Sequence, residues 1–570
     1  MRTLITIDYV IIGVYILLVF IAGMALTKKA SDSVDSFFLG GRTMPWWLVG
    51  ISMAATNFSI DTPLAVSKFV QKEGISGVWF MWASAISALF VTFFFSRLWR
   101  RTGVLTDAEV IEQRYSGKAA EYLRLFKGLY FGVIFNAFII GWVFLSLNKV
   151  LTAVTDLNVE MAMIVSVSVV FIYSISSGFY GVVMTDLFQY FIALIGSVIL
   201  AYLSVAKVGG LDQLTTSLSS MGKEKADLLN FFPDFDNSTL MPFSVFLVYI
   251  LVQWWAHKYA DGGGKHIQRM LSAKDEEHAF KGSALYTSLT YCFQIWPWII
   301  TSLCAIILLG ESGDPEMAYP RMMGEVLPHG LFGLVVVCLI GAFMSTIDTH
   351  LNLGASYIVN DIYKRFMVKD QTPKHYVFAS RIVMLLLMIV SYAISKNIDS
   401  VASTWKFLLT FASGAGLTWI IRWFWWRANA WTEFSGMIAS GLCATVLKIY
   451  ANDMIYTDKL LITVAFSTVV WVTVTFLTSA TDDQVLKDFV LKVRPGSAGW
   501  NKITEKFNLP KGEFMKKSLM MWLLSLCAFF GLNFGIGALL LKGKPLAFTL
   551  LGLSLSSLIA IIYIHKTEKA

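Results

Sequence analysis

Long apolar runs separated by short polar breaks recur along the whole chain. They fall near 7–27, 45–72, 74–97, 120–152, 159–177, 179–206, 241–260, 280–310, 329–362, 376–396, 399–426, 430–451, 459–479, 517–541 and 545–565. A helix needs about 20 apolar residues to cross a hydrocarbon core, and irregular backbone facing lipid is not tolerated there. The pattern therefore predicts an all-α polytopic membrane protein with about fifteen transmembrane helices. The first run, within residues 1–27, has no small-residue cleavage site and reads as a retained extra helix.

Two runs break the pattern. The second passes through Ser52-Met53-Ala54-Ala55-Thr56-Asn57-Phe58-Ser59-Ile60-Asp61-Thr62-Pro63, a polar patch at mid-depth closed by a residue with no N–H. Five runs later, Trp254 to Asp261 leads into Gly262-Gly263-Gly264, which favours unwound chain. Interrupted segments at matching places in two halves point to inverted repeats with a binding site at the membrane midplane. The repeats would cover 45–206 and 241–426, leaving 427–570 as four additional helices with a cytoplasmic loop near 480–516. The plainer alternative is a proline kink in one helix and an ordinary helix end in the other.

Composition agrees with a membrane protein. Of 570 residues, 56% are hydrophobic and 15% charged, where soluble proteins carry about a quarter charged residues. A soluble enzyme, a disordered chain and, with only 5 Cys, a disulfide scaffold are excluded. The net charge of +8 is read as topology, not as a sign of nucleic-acid binding. Loops 28–44, 97–120, 257–282, 363–381 and 480–517 carry Lys and Arg, whereas 207–240, 311–328 and 452–457 are long, polar or acidic. By the positive-inside rule the N-terminus lies outside and the C-terminus in the cytoplasm, in the plasma (bacterial inner) membrane. His257, Lys265, His266 and Asp275 are then cytoplasmic loop residues.

Within the run starting at Leu331, residues Ala342, Ser345, Thr346 and Thr349 share one helical face. A carbonyl and three hydroxyls suit a hard cation, and a broken helix nearby would add the freed carbonyls of Ala55 and Phe58. The same hydroxyls could equally bond back to the preceding turn. Asp186 and Asp348 stand at membrane depth, where an ionisable group costs roughly 2.5–3.5 kcal/mol and marks an ion or proton path unless a neighbour satisfies it. For Asp348 the candidate neighbours are His350 and Asn352. Asp61 would bind a substrate ammonium or merely finish the helix break. Trp82 lies mid-span, facing either a cavity or its neighbours, while Trp423, Trp425 and Trp426 fit an interfacial belt.

Several motifs occur in one order between about residues 7 and 430. They are Gly40-Gly41-Arg42 with Pro45-Trp46-Trp47, Thr106-Asp107-Ala108-Glu109 with Arg114-Tyr115, and Gly181 to Gln189 around Thr185-Asp186. Gln268-Arg269 with Ala273-Lys274, then Met344-Ser345-Thr346 and Asp361-Ile362-Tyr363, complete the set. Here the chain resembles the sodium:solute symporter family, which includes sodium-coupled sugar, proline and sialic acid transporters. The resemblance implies a leucine-transporter-like fold of two inverted five-helix repeats and transport by alternating access. Its sodium site maps onto Ala55, Phe58, Ala342, Ser345 and Thr346. A second cation, found in some members, maps onto Asp186, Ser345, Asp348 and Thr349, although Asp348 stands where a hydroxyl is usual.

The sugar-transporter pattern has Gln and Glu where this chain has Thr62 and Met81, so a hexose is disfavoured. Solute contacts expected from the second, third and seventh spans are Asn57, Thr62, Trp82, Ser84 and Gln253. The function expected is sodium-coupled symport of a small polar organic solute, with sodium as coupling ion and no organic cofactor. A proton-coupled symporter or passive channel on the same fold is the alternative. A membrane enzyme is remote, since nothing orders His257, Asp261 and His266 as a catalytic unit.

Overall fold

The computed structural model describes residues 3–30, 34–235, 240–310, 313–510, 512 and 515–569. Of the expected first helix and loops, residues 1–2, 31–33, 236–239, 311–312, 511 and 513–514 lie outside the described residues. The described chain is helical throughout, with no strand and one isolated bridge, Met44 to Ala273.

Among the described residues nine helices are long and apolar enough to cross a membrane, or ten if Asp61–Gly77 and Trp79–Phe94, bent by 73°, count as one span. Shorter apolar helices occur at Thr6–Val19, Val159–Ile175 and Phe243–Gln253. The expected fifteen is not reached by this measure, and the interrupted spans show why. The helix Trp46–Asn57 has 12 residues and rises about 18 Å, well short of a core about 30 Å thick.

The first interruption lies at Phe58–Ile60. Helix Trp46–Asn57 ends there and a new one starts at Asp61. Pro63 sits in the first turn of the new helix, where its missing N–H costs nothing. The Thr62 hydroxyl donates to the Asn57 carbonyl across the gap at 3.2 Å. The second interruption runs from Trp254 to Gly262, between a π-helical turn at Tyr249–Gln253 and the helix Gly263–Ser272. Gly262 has φ 125° and Gly263 φ 63°, which explains why glycine stands at both.

Helix Leu331–Ser356 runs past both breaks, packing on Trp46–Asn57, Gly263–Ser272 and the helix Val159–Val208. The last of these has 50 residues, about 75 Å if straight and too long for one crossing. The N-terminal helix is anchored by Asp8. Its carboxylate accepts from the Gly330 and Gly333 N–H groups at 2.7 and 2.9 Å and pairs with His329.

Residues 480–516, expected as a plain connector, form helices Asp483–Val493 and Asn501–Lys506. Phe489 and Trp500 from this segment stack on each other and cover Arg114. Trp423, expected at the membrane surface, is buried here against Trp99 and Phe489.

Candidate functional site

The two breaks face one cavity of about 190 Å³. The first contributes Thr56, Asn57, Ser59, Asp61 and Thr62, and the second His257, Lys258, Tyr259, Lys265 and His266. Ser84, Thr290, Gln294 and Thr346 add polar groups from three further helices, while Phe135, Trp142 and Trp405 give aromatic walls. Two of these helices carry π-helical turns beside the cavity, at Tyr130–Phe135 and Leu289–Phe293. Such turns free backbone groups from the regular ladder and recur at functional sites.

The wall is polar and incompletely satisfied. Ser59 Oγ, Asp61 Oδ1, Ser283 Oγ, Thr290 Oγ1, Gln294 Oε1 and Trp405 Nε1 are buried without a hydrogen-bond partner in the protein, and all six residues line this cavity. Buried polar groups are normally paired, so such a concentration marks where a polar guest or water is received.

Residues 257–266 are not a cytoplasmic loop. His257, Lys265 and His266 are 3–7% exposed and face the cavity. The segment 257–282 therefore cannot count as a basic loop when topology is read from charge. The hydrogen bonds hold both imidazoles neutral. His257 Nδ1 accepts from the Tyr259 N–H at 3.0 Å while Nε2 donates to the Trp254 carbonyl at 2.8 Å. His266 Nδ1 donates to the Gly262 carbonyl at 3.1 Å and Nε2 accepts from the Asn57 amide at 3.1 Å. A ring nitrogen that accepts carries no proton.

Asn57 is tied into the wall on every side. Its amide also donates to Tyr286 Oη at 2.6 Å, and its carbonyl oxygen accepts from Lys265 at 2.6 Å. Thr62 and Ser84 line the cavity as expected. Trp82 and Gln253 do not. The Trp82 indole donates to the Tyr291 carbonyl at 3.2 Å and packs on Trp79, Trp296 and Phe534. The Gln253 amide donates to the Phe80 carbonyl at 2.8 Å and accepts from Tyr456 at 3.0 Å. Both satisfy polar atoms behind the wall.

The five oxygen-bearing residues expected to hold a cation are all buried, where Trp46–Asn57 packs on Leu331–Ser356. The Ala55 carbonyl accepts the Phe58 N–H at 3.1 Å, the Thr346 hydroxyl donates to the Ala342 carbonyl at 3.0 Å, and the Ser345 hydroxyl donates to Asp186 at 2.5 Å. Asp186 also accepts from Ser52 at 2.6 Å and lies 3.5 Å from the Arg269 guanidinium. Arg269 donates to Thr349 Oγ1 at 2.7 Å and to Gln268 at 3.0 Å. Thus Asp186 and Thr349 already share a fixed cation. Asp348 bonds Ser174, not His350 or Asn352, and its Oδ2 is buried without a partner.

A family model for sodium:solute symporters matches residues 37–440. The chain belongs to the sodium:solute symporter family. It is similar to the sodium/glucose cotransporter of Vibrio parahaemolyticus, at 25% identity over 508 residues covering 84% of this chain and 91% of that one. It is similar also to sodium/glucose cotransporter 1 of Oryctolagus cuniculus, at 26% identity over 481 residues covering 76% and 70%. Among solved structures, a Na+-coupled sialic acid symporter in its substrate-bound outward-open state superimposes with a TM-score of 0.70 at 18% identity, covering 84% of this chain and 98% of that one. The fold is therefore leucine-transporter-like. The protein is an integral membrane protein that couples sodium to the transport of a solute.

Sequence reasoning missed several residues of this symporter's cavity, above all Lys258 and Lys265. The available signal was the glycine break itself: a broken span places the residues beside it at membrane depth, whatever their charge.

Proposed function

We propose that the symporter binds its coupling sodium at Ala55, Phe58, Ala342, Ser345 and Thr346 and its solute in the adjoining cavity. One observation carries this reading: Thr346, a candidate ion ligand, is also part of the cavity wall. An ion that orders Thr346 and the end of the broken helix thereby shapes the solute site, which is the physical content of coupling. Neutral oxygens bind sodium weakly enough to release it. For a neutral solute the driving force is about 2.3 kcal/mol per charge per 100 mV plus about 1.4 kcal/mol for each tenfold sodium gradient; a solute that neutralises the sodium is driven by the gradient alone.

The repeats are assigned to 45–206 and 241–426, with helices at 1–27 and 427–570 outside them. The N-terminus is placed outside and the C-terminus in the cytoplasm of the plasma (bacterial inner) membrane, on the basic loops other than 257–282. We assign one sodium per cycle. A second cation at Asp186, Asp348 and Thr349 would have to share Asp186 and Thr349 with Arg269. Asp348, with Oδ2 unpartnered, supports a second reading in which it carries a proton. Thr62 and Met81 in the wall argue against a hexose, and the protein acts as a carrier without a catalytic step.

The test is unfolding of the purified protein in sodium against potassium at constant ionic strength, with Ser345→Ala/Thr346→Ala beside wild type. A ligand at about 100 times its Kd adds about 2.7 kcal/mol to the folded state. A sodium-specific gain absent from the variant is expected. An equal gain in both proteins would refute the ion site, and uptake driven by a proton gradient without sodium would favour Asp348.

A further inference from the structure

We propose that the transported solute carries a carboxylate, held in the cavity by Lys258 with Lys265 beside it. This deepens the reading above and rests on the cavity being the solute site. The argument is a charge inventory. Asp61 is the one carboxylate among the described lining residues, set against two ammonium groups. The two imidazoles at 257 and 266 are neutral by their hydrogen bonds, and Arg269 is matched by Asp186. With both lysines protonated the wall carries a net positive charge before sodium adds another.

Lys258 is the less committed of the two lysines. Its Nζ stands 4.9 Å from the centre of the Phe135 ring and 4.7 Å from that of Tyr259. Half-buried in the cavity wall, it has no hydrogen-bond acceptor and no ion-pair partner among the described residues, so its three donors are unspent. Lys265 spends one donor on Asn57 at 2.6 Å and a longer one on the Thr56 carbonyl at 3.4 Å.

An unpaired ammonium in such a wall is costly or gives up its proton, and a neutral solute does nothing to hold it charged. A carboxylate does, through short charge-assisted hydrogen bonds. The free Ser283, Thr290 and Gln294 atoms elsewhere in the wall suit hydroxyl groups on the same molecule. The class indicated is a small hydroxylated carboxylic acid. Carried with one sodium, a monocarboxylate moves no net charge, whereas a neutral solute would move one.

The experiment uses purified full-length protein in sodium or potassium. The probes are D-gluconate, D-glucuronate, L-lactate and D-glucose, read by thermal shift and then by uptake into proteoliposomes. A sodium-dependent shift with at least one carboxylate and none with glucose is expected. Lys258→Met should weaken carboxylate binding about tenfold or more, the loss of a charge-assisted bond, while keeping the sodium shift that shows it is folded. Lys258→Arg should retain binding.

Sodium-dependent binding of glucose alone, of none of the probes, or of a carboxylate equally well by Lys258→Met would overturn the proposal. The reading beneath it fails separately, through carboxylate binding indifferent to sodium or a wild-type protein that sodium does not stabilise.

Discussion

Replacing Glu316 with glutamine tests how one end of the helix bundle is held together. Glu316 lies in the short turn Pro315–Met317, outside the spans, with its side chain fully buried. It accepts from Lys149 at 2.5 Å, Lys68 at 3.2 Å and the Ser400 hydroxyl at 2.8 Å. The Val401 and Ala402 N–H groups, at 3.3 and 3.2 Å, also point to it. These N–H groups open the helix Val401–Phe424 and have no partner within it. Burial alone would raise the Glu316 pKa, but Lys149 and then Lys68 and Ser400 reverse this and hold it at about 2.

Against an ordinary value of 4.5, and at about 1.4 kcal/mol per tenfold change in proton affinity, the ionised form contributes roughly 3 kcal/mol at pH 7. The folded pKa is depressed, so this stability is present above about pH 4.5 and lost as pH falls toward 2, with about half remaining near pH 3. Denaturant unfolding in detergent at pH 7, 5, 4 and 3 should show Glu316→Gln less stable by roughly 3 kcal/mol at neutral pH, with the gap to wild type narrowing below pH 4.5. A gap independent of pH, or one under about 1 kcal/mol at pH 7, would refute this account of the carboxylate.

Three further outcomes are expected. Gly416→Ala would place a Cβ 2.4 Å from the Trp255 carbonyl oxygen and 2.8 Å from the His257 nitrogen. Backbone must move, so a loss of about 1–3 kcal/mol or more in unfolding free energy is expected, together with weaker solute binding; wild-type behaviour in both would show that the contact yields freely. Arg269→Met leaves Asp186 without a cation and should cost about 3–5 kcal/mol, whereas Arg269→Met/Asp186→Asn should be milder than the single change; additive losses in denaturant titrations would show that the pair is not coupled. Trp82→Phe and Gln253→Leu should lower the melting temperature and leave KM for uptake unchanged, while Thr62→Ala and Ser84→Ala should do the reverse; a KM effect confined to the first pair would place the solute behind the present wall.

The breaks in the chain were legible because they violate a strong rule. Polar residues with a proline at 52–63, and three glycines at 262–264, have no place in a lipid-facing helix, and both positions are broken in the structure. Asn57 and Thr62 followed from the first break by position, Thr346 from the hydroxyl ladder of its own helix and Ser84 from its place in the third span, and all four line the cavity. Trp82 and Gln253 misled because a polar group at mid-span fits two situations. One is a guest in a cavity; the other is a neighbouring carbonyl, as Tyr291 and Phe80 provide here. Tyr291 belongs to a π-helical turn, and irregular turns of that kind leave no mark in hydropathy. Lys258 and Lys265 were hidden for a different reason. Lysine beside an apolar run normally marks a cytoplasmic end, and only the fold shows that the unwound chain and the helix after it carry these two inward.

The buried charges of this symporter divide into matched and unmatched groups, and the division separates scaffold from site. Asp261 pairs with Arg422 and accepts the Trp423 indole N–H at 3.1 Å, Arg422 reaches Glu433 at 3.3 Å, and Tyr115 donates to Glu433 at 2.7 Å. Arg124 binds Asp361 and Glu112. These clusters close on themselves and fix where helices meet. Around the cavity the opposite holds: Lys258 has no acceptor among the described residues, and Ser283, Thr290 and Gln294 keep buried atoms without a protein partner. A fold tolerates such deficits only where something else supplies the missing partner for part of the cycle. A sodium ion and a solute arriving together are such partners, and the energy gained by meeting those deficits is what links binding of one to binding of the other.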